Sequence, residues 1–189
     1  MSTSHRIDPM QILVDEHRVI ERVLTALATW GEAVRRGGPV DPERLAAFVD
    51  FLRGYADAIH HGKEEKLVFR ALLQHGAPPA IAAQLAAIQR DHESARLLIG
   101  DLSAAAKHAG AWSPTERDAL ARTAQSYVSL LRRHIRDEDT VVFPATWTAM
   151  PESLRQPVAD ACATFDAAHA AQAAQLRDLA DTLARAYEG

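Results

Sequence analysis

A chain of 189 residues with 48% hydrophobic and 24% charged residues has the make-up of an ordinary folded domain. Its formal net charge of −4, with no block of Lys or Arg, leaves no footprint for nucleic acid, and no apolar run approaches the roughly 18 residues a membrane span needs. The single cysteine, Cys162, excludes an internal disulfide framework and a cysteine-based zinc site; the polar stretch Met1 to Met10 lacks a secretory apolar segment, so a cytoplasmic protein is expected.

Turn signals at Gly37-Gly38-Pro39, Gly76-Ala77-Pro78-Pro79, Gly110 to Pro114 and Met150-Pro151 divide long Ala/Leu/Arg/Glu-rich stretches. They predict helices at about 10–36, 42–75, 79–108, 114–148 and 152–187, with ends uncertain by roughly 2–4 residues, and no strand. On the first helix His17 lines up with Leu13, Ile20, Leu24 and Leu27. The second starts at Asp41-Pro42-Glu43, an N-cap followed by proline at the first helical position. His60 continues its row Leu45, Val49, Leu52, Ala56 towards Glu64 and Val68. The row upstream of His61 is Asp50, Gly54 and Asp57, so His60 points inward more convincingly. On the third helix His92 sits with Ile81, Leu85, Ile88, Ala95, Ile99 and Leu102.

The fourth helix opens on Ser113-Pro114-Thr115-Glu116, spaced as a capping box, and aligns His134 with Leu120, Tyr127, Leu131, Glu138 and Val141. Pro144 is expected to kink or end it, by removing a backbone donor and clashing with the preceding turn. On the fifth, His169 follows the apolar row of Cys162 and Phe165 and is read as packing or bordering a subunit contact. His5, His75 and His108 fall at termini or loops and read as solvated. Four long helices with short connections favour antiparallel neighbours, an up-down four-helix bundle over about 10–148 with the fifth helix packed on it as part of a single domain.

Each of the four bundle helices thus carries one histidine on its apolar stripe, and two continue into His60-x-x-x-Glu64 and His134-x-x-x-Glu138. The segments His60 to Phe69 and His134 to Phe143 correspond position by position at these residues. Two carboxylates in an apolar interior are costly unless a positive charge compensates them, and neutral imidazoles supply none. A metal cation does. Imidazole with carboxylate suits iron, manganese or zinc. A core histidine taken singly is more often a packing residue than a ligand; four stripes with two carboxylates at helical spacing outweigh that reading.

The order of a lone His17, His60 with Glu64, a lone His92, and His134 with Glu138 resembles the hemerythrin-like, or HHE cation-binding, family, as do Asp15-Glu16-His17, Lys63-Glu64-Glu65, Asp91-His92-Glu93 and Val142-Phe143-Pro144. The resemblance covers about residues 10–148. It implies a bundle of hemerythrin type holding two Fe ions, oxo- or hydroxo-bridged, with His17 and His60 on one iron, His92 and His134 on the other, Glu64 and Glu138 across both, and a position open to dioxygen, peroxide or nitric oxide. The oxygen carriers of the family have His-x-x-x-His on the third helix, where Arg96 stands here; His61 is the natural substitute. They also have His-x-x-x-x-Asp on the last helix, so Asp139 competes with Glu138, which helical geometry and the internal repeat favour. Tyr127 is a candidate donor behind the ligands.

Ferritin-like proteins need Glu-x-x-His, but Asp57, Gln89 and Leu131 precede the three histidines; His92-Glu93-Ser94-Ala95-Arg96 fails the zinc-protease pattern at its last place. Two functions lead, ahead of a metal-free structural bundle that would need Glu64 and Glu138 protonated or paired with arginine. One is a di-iron protein that binds or reacts with a small oxidant or diatomic gas, peroxide disproportionation included. The other is an iron-responsive or iron-buffering module without turnover, whose folding is linked to metal. Either accommodates a homo-oligomer.

Overall fold

A computed structural model describes residues 9–187, and every regular element among them is helical. Helix α1 is Pro9–Arg35. Helix α2 is the rod 42–74, made of an α-helical start Pro42–Phe51, two π-helical stretches Leu52–His61 and Glu64–Phe69, and an α-helical end Arg70–Gln74. Helix α3 is Pro79–Ala105. Helix α4 is the rod 114–149, in which Pro114–Asp137 and Phe143–Ala149 flank a π-helical Glu138–Val142, and helix α5 is Glu152–Arg185. His5 lies outside the described residues.

The helix ends follow from their sequences. Gly37, at φ 92°, ends α1 in the left-handed conformation open to glycine, and a Cβ on Gly38 would come 2.8 Å from the Ala33 carbonyl oxygen. The Asp41 carboxylate accepts the backbone N–H groups of Glu43 and Arg44, and Ser113 and Glu116 form the full capping box expected at α4. The helix does not end at Pro144. A π turn stands directly before it, and the proline falls in the first turn of Phe143–Ala149, where the backbone has already departed from the α-helical ladder its ring would break.

Helix α1 packs on α4, α4 on α3, α3 on α2 and α2 on α1, while α5 lies along α1 and α2. The interior divides into two apolar clusters. One holds Ile20, Leu24, Leu27, Trp30, Phe48, Tyr55, Ile99, Tyr127 and Leu131; the other holds Leu13, Val68, Phe69, Leu85, Ile88, Val142 and Phe143. Each fully buried Leu, Ile or Phe contributes about 1.5–3 kcal/mol, so the two clusters clamp whatever lies between them. His17 stands between Leu13 and Ile20, His92 between Ile88 and Ala95, and His134 between Leu131 and Val142, each flanked along its helix by both clusters. The layer between the clusters is polar.

Candidate metal centre

That layer contains His17, His60, His61, Glu64, His92, His134 and Glu138, all buried. His60 and His61 are both buried, although the α-helical reading of the sequence favoured His60 as the inward residue of the two. An α-helix would separate them by about 100°; the wider winding of Leu52–His61 narrows that angle, and both side chains are buried. The sequence correspondence between α2 and α4 extends to the backbone, since each rod turns π-helical at its glutamate, Glu64 and Glu138.

Potential ligand atoms converge in two groups, His61, Glu64, His92 and His134 in one and His17, His60, Glu64 and Glu138 in the other. Glu64 belongs to both: its Oε1 is 3.5 Å from His60 Nε2 and its Oε2 3.5 Å from His92 Nε2. Glu138 Oε2 lies between the halves, 3.2 Å from His17 Nε2 and 3.1 Å from His134 Nε2. The His61 ring stacks on His92 at 3.8 Å. Histidine-to-phenylalanine substitution at His61 keeps that stack and removes one donor; we expect metal content to drop by about one ion per chain in elemental analysis, with the other half retained.

His92 Nε2 and His134 Nε2 contact each other at 3.2 Å, but the remaining inward atoms lack conventional partners. His17 Nε2, His60 Nε2, His61 Nε2 and all four oxygens of Glu64 and Glu138 are buried without a hydrogen bond. Burial of that many unpaired acceptors costs several kcal/mol in total unless a cation joins them. The outward nitrogens, by contrast, face carboxylates. His17 Nδ1 lies 2.6 Å from Asp139, His60 Nδ1 3.0 Å from Glu16, His61 Nδ1 3.4 Å from Asp57 and His92 Nδ1 2.6 Å from Glu65. His134 Nδ1 is 3.8 Å from Asp91, an ion-pair contact beyond hydrogen-bond reach. An Nδ1–H held by a carboxylate leaves the Nε2 lone pair pointing inward, the arrangement that orients metal-binding imidazoles.

A ring of cations holds those carboxylates in turn. Arg18 pairs with Asp139, Lys63 with Glu16, Arg133 with both oxygens of Asp91 at 2.9 Å, and Arg96 with Asp57 and Glu65 at 2.8 Å. Arg96 is therefore the clamp behind His61 and His92. Asp139, which the sequence left competing with Glu138, sits behind His17 instead. Tyr127 is buried with its hydroxyl unpartnered among the described residues, in neither ligand group. His169 bonds the Phe165 carbonyl and stacks on its ring, His75 is exposed, and His108 packs at a tilt against Trp112 rather than standing free in solvent.

Metal-free electrostatics are uneven. Burial and the charge of Glu138 push the Glu64 carboxyl well above the usual range, whereas at Glu138 burial is outweighed by His134 and His17, which hold it well below. Burial alone would lower His134, but Glu138 and Asp91 push it up to about 9. Burial, then the neighbouring His17, takes His60 down to about 4. Without metal, protonation is thus favoured at Glu64 and disfavoured at Glu138, an asymmetry that a bound cation would erase.

A helical bundle with a buried layer of histidines and glutamates, anchored from outside and unpaired within, defines a metal-binding bundle protein. The profile of the Hemerythrin HHE cation binding domain matches residues 8–146, and the chain belongs to that family. It is 32% identical over 136 residues to uncharacterized proteins Mb2018 of Mycobacterium bovis and Rv1995 of Mycobacterium tuberculosis, covering 70% of this chain and 51% of theirs. The chain thus spans about half the length of the curated relatives it matches. No solved structure matches it. Among the described residues no helix is long and apolar enough to cross a membrane.

Proposed function

We propose that the polar layer is a non-haem di-iron centre in an antiparallel up-down bundle, and that it binds or reacts with a small oxidant: dioxygen, hydrogen peroxide or nitric oxide. His61, His92 and His134 hold one ion, His17 and His60 the other, and Glu64 and Glu138 reach across both. The observation that supports this reading best is the set of buried, unpartnered Nε2 and carboxylate atoms converging in two groups that share Glu64. Three imidazoles serve one half and two the other, so the half beside His17 and His60 is where a small molecule would be admitted.

When bound, two irons supply reversible redox chemistry and an oxo- or hydroxo-bridged site for such a ligand. The chain's own residues do the rest. Glu16, Asp57, Glu65, Asp91 and Asp139 fix the imidazoles, and the apolar clusters on either side exclude water.

Metal analysis and the visible spectrum of protein from iron-supplemented cells, before and after peroxide, test the reading. About two irons per chain, as the two ligand groups require, with a near-ultraviolet band and gas evolution on adding peroxide, are expected of a peroxide-disproportionating centre. Two irons without peroxide consumption would favour a carrier, or an iron-responsive or buffering module. Less than about half an equivalent of any metal, with the helices intact, overturns the metal centre.

A further inference from the structure

Lys63 is 0% exposed, whereas Arg18, Arg96 and Arg133, the other cations around the centre, are 51%, 39% and 51% exposed. A fully buried ammonium is held in place only if its partners compensate the loss of water. Its Nζ lies 2.7 Å from Glu16 Oε1 and 2.5 Å from Asp166 Oδ1, and the other Glu16 oxygen, Oε2, is 3.0 Å from His60 Nδ1. An unbroken chain of contacts therefore runs from Asp166 on α5 through Lys63 and Glu16 to the imidazole of His60.

Helix α5 is pressed close at this point. A Cβ on Gly54 would come 2.9 Å from Leu176 Cδ1, and one on Gly62 would lie 3.8 Å from the Phe165 ring, next to Asp166. Asp166 lies beyond the stretch 8–146 that matches the family profile. The three arginine clamps end in solvent; this one ends on another helix.

We propose that Lys63 is a positioning residue through which α5, by way of Asp166, sets the metal affinity of the half of the centre that contains His17 and His60. This rests on the reading of the polar layer as a two-ion centre. With Lys63 in place, Glu16 has one oxygen tied to the ammonium and the other free to hold the His60 ring, so its Nε2 faces Glu64. Without the ammonium, Glu16 is a buried anion with nothing to keep it at that angle, and the His60 ring loses its stop. The half with His61, His92 and His134 draws on Asp57, Glu65 and Asp91 instead and is untouched.

Anaerobic calorimetric titration of the metal-free full chain with Fe(II) tests this on Lys63→Met and Asp166→Asn. Loss of an outer partner typically costs about 10–100-fold in metal affinity. We expect Lys63→Met to lower the affinity for the second ion by that factor while leaving the first within about threefold, and Asp166→Asn to act in the same direction with a smaller loss. In a Glu16→Gln background, adding Lys63→Met is expected to cause no further loss, which a general packing defect would not reproduce.

Circular dichroism of the metal-free variants checks the fold; if Lys63→Met does not fold, the partly exposed Asp166→Asn decides on the same criterion. Variants that take up two ions like the parent, or that lose both ions equally, overturn the proposal while the parent's two ions leave the centre standing. A parent chain that takes up no iron overturns the centre and this inference together.

Discussion

Glu64→Gln is expected to empty both halves of the centre while leaving the metal-free fold as stable as the parent. Glu64 is the one residue common to both ligand groups, with an oxygen turned to each. Without metal, burial and the neighbouring Glu138 charge favour its protonated form, so a neutral amide of the same shape is a close substitute. Metal requires the anion, which glutamine cannot supply.

An ion at 100 times its dissociation constant stabilises the folded state by about 2.7 kcal/mol, so two contribute about 5 kcal/mol, and at this chain length each kcal/mol moves the melting temperature by about 2–4 °C. Iron should therefore raise the parent's melting temperature by roughly 10–20 °C and the Glu64→Gln variant's hardly at all. Glu138→Gln is the contrasting case. Glu138 is held well below its usual range by His134 and His17, so its loss breaks a buried charge contact and should cost the metal-free protein about 3–5 kcal/mol. Scanning calorimetry of both variants, with and without iron, measures these differences; a Glu64→Gln protein that retains two ions and the full rise would refute the shared role.

Much of this was legible in the sequence because helical periodicity is local. His17, His60, His92, His134, Glu64 and Glu138 each declare their inward direction through apolar neighbours three, four and seven positions away, and the structure brings all six into one layer. His61 escaped that logic because it presumes 100° per residue, and Leu52–His61 is wound more widely. The outer carboxylates were hidden for a different reason. Glu16 precedes one ligand in sequence but serves His60 on another helix, and Asp91, before His92, faces His134. Only packing reveals such pairs. Lys63, flanked by glycine and two glutamates, looks like a solvated charge until α5 closes over it, and Arg96 looks like a lost ligand until its two carboxylates are seen.

Metal loading should release protons, and its apparent affinity should climb steeply with pH. In the metal-free protein His134 titrates at about 9, His17 is raised above its ordinary 6.5 because Asp139 and Glu138 outweigh burial, and Glu64 is raised well above 4.5. All three are thus biased towards holding a proton where a metal would bind. His60, His61 and His92 are lowered, chiefly by burial, and are neutral donors already. Up to about three protons must therefore leave, from Glu64 for both halves, His17 for one and His134 for the other. Metal and protons compete for the same lone pairs, so the overall affinity should rise with pH, the His134 contribution levelling off above about 9.

The same shifts act on the metal-free fold with opposite signs. His60 is neutral in the folded state at a pH where the unfolded chain takes up a proton, so stability falls as pH drops from 6.5 towards about 4. His134 contributes stability that is full below 6.5 and is lost as pH rises through about 9. Raising the pH therefore weakens the metal-free protein's own hold on the layer over the range in which it strengthens the metal's. Calorimetric titration with iron in buffers of different ionisation enthalpy counts the protons directly: at least the His134 proton is expected to be released near pH 7. Release of none would mean that Glu64 and the two raised histidines do not ligate.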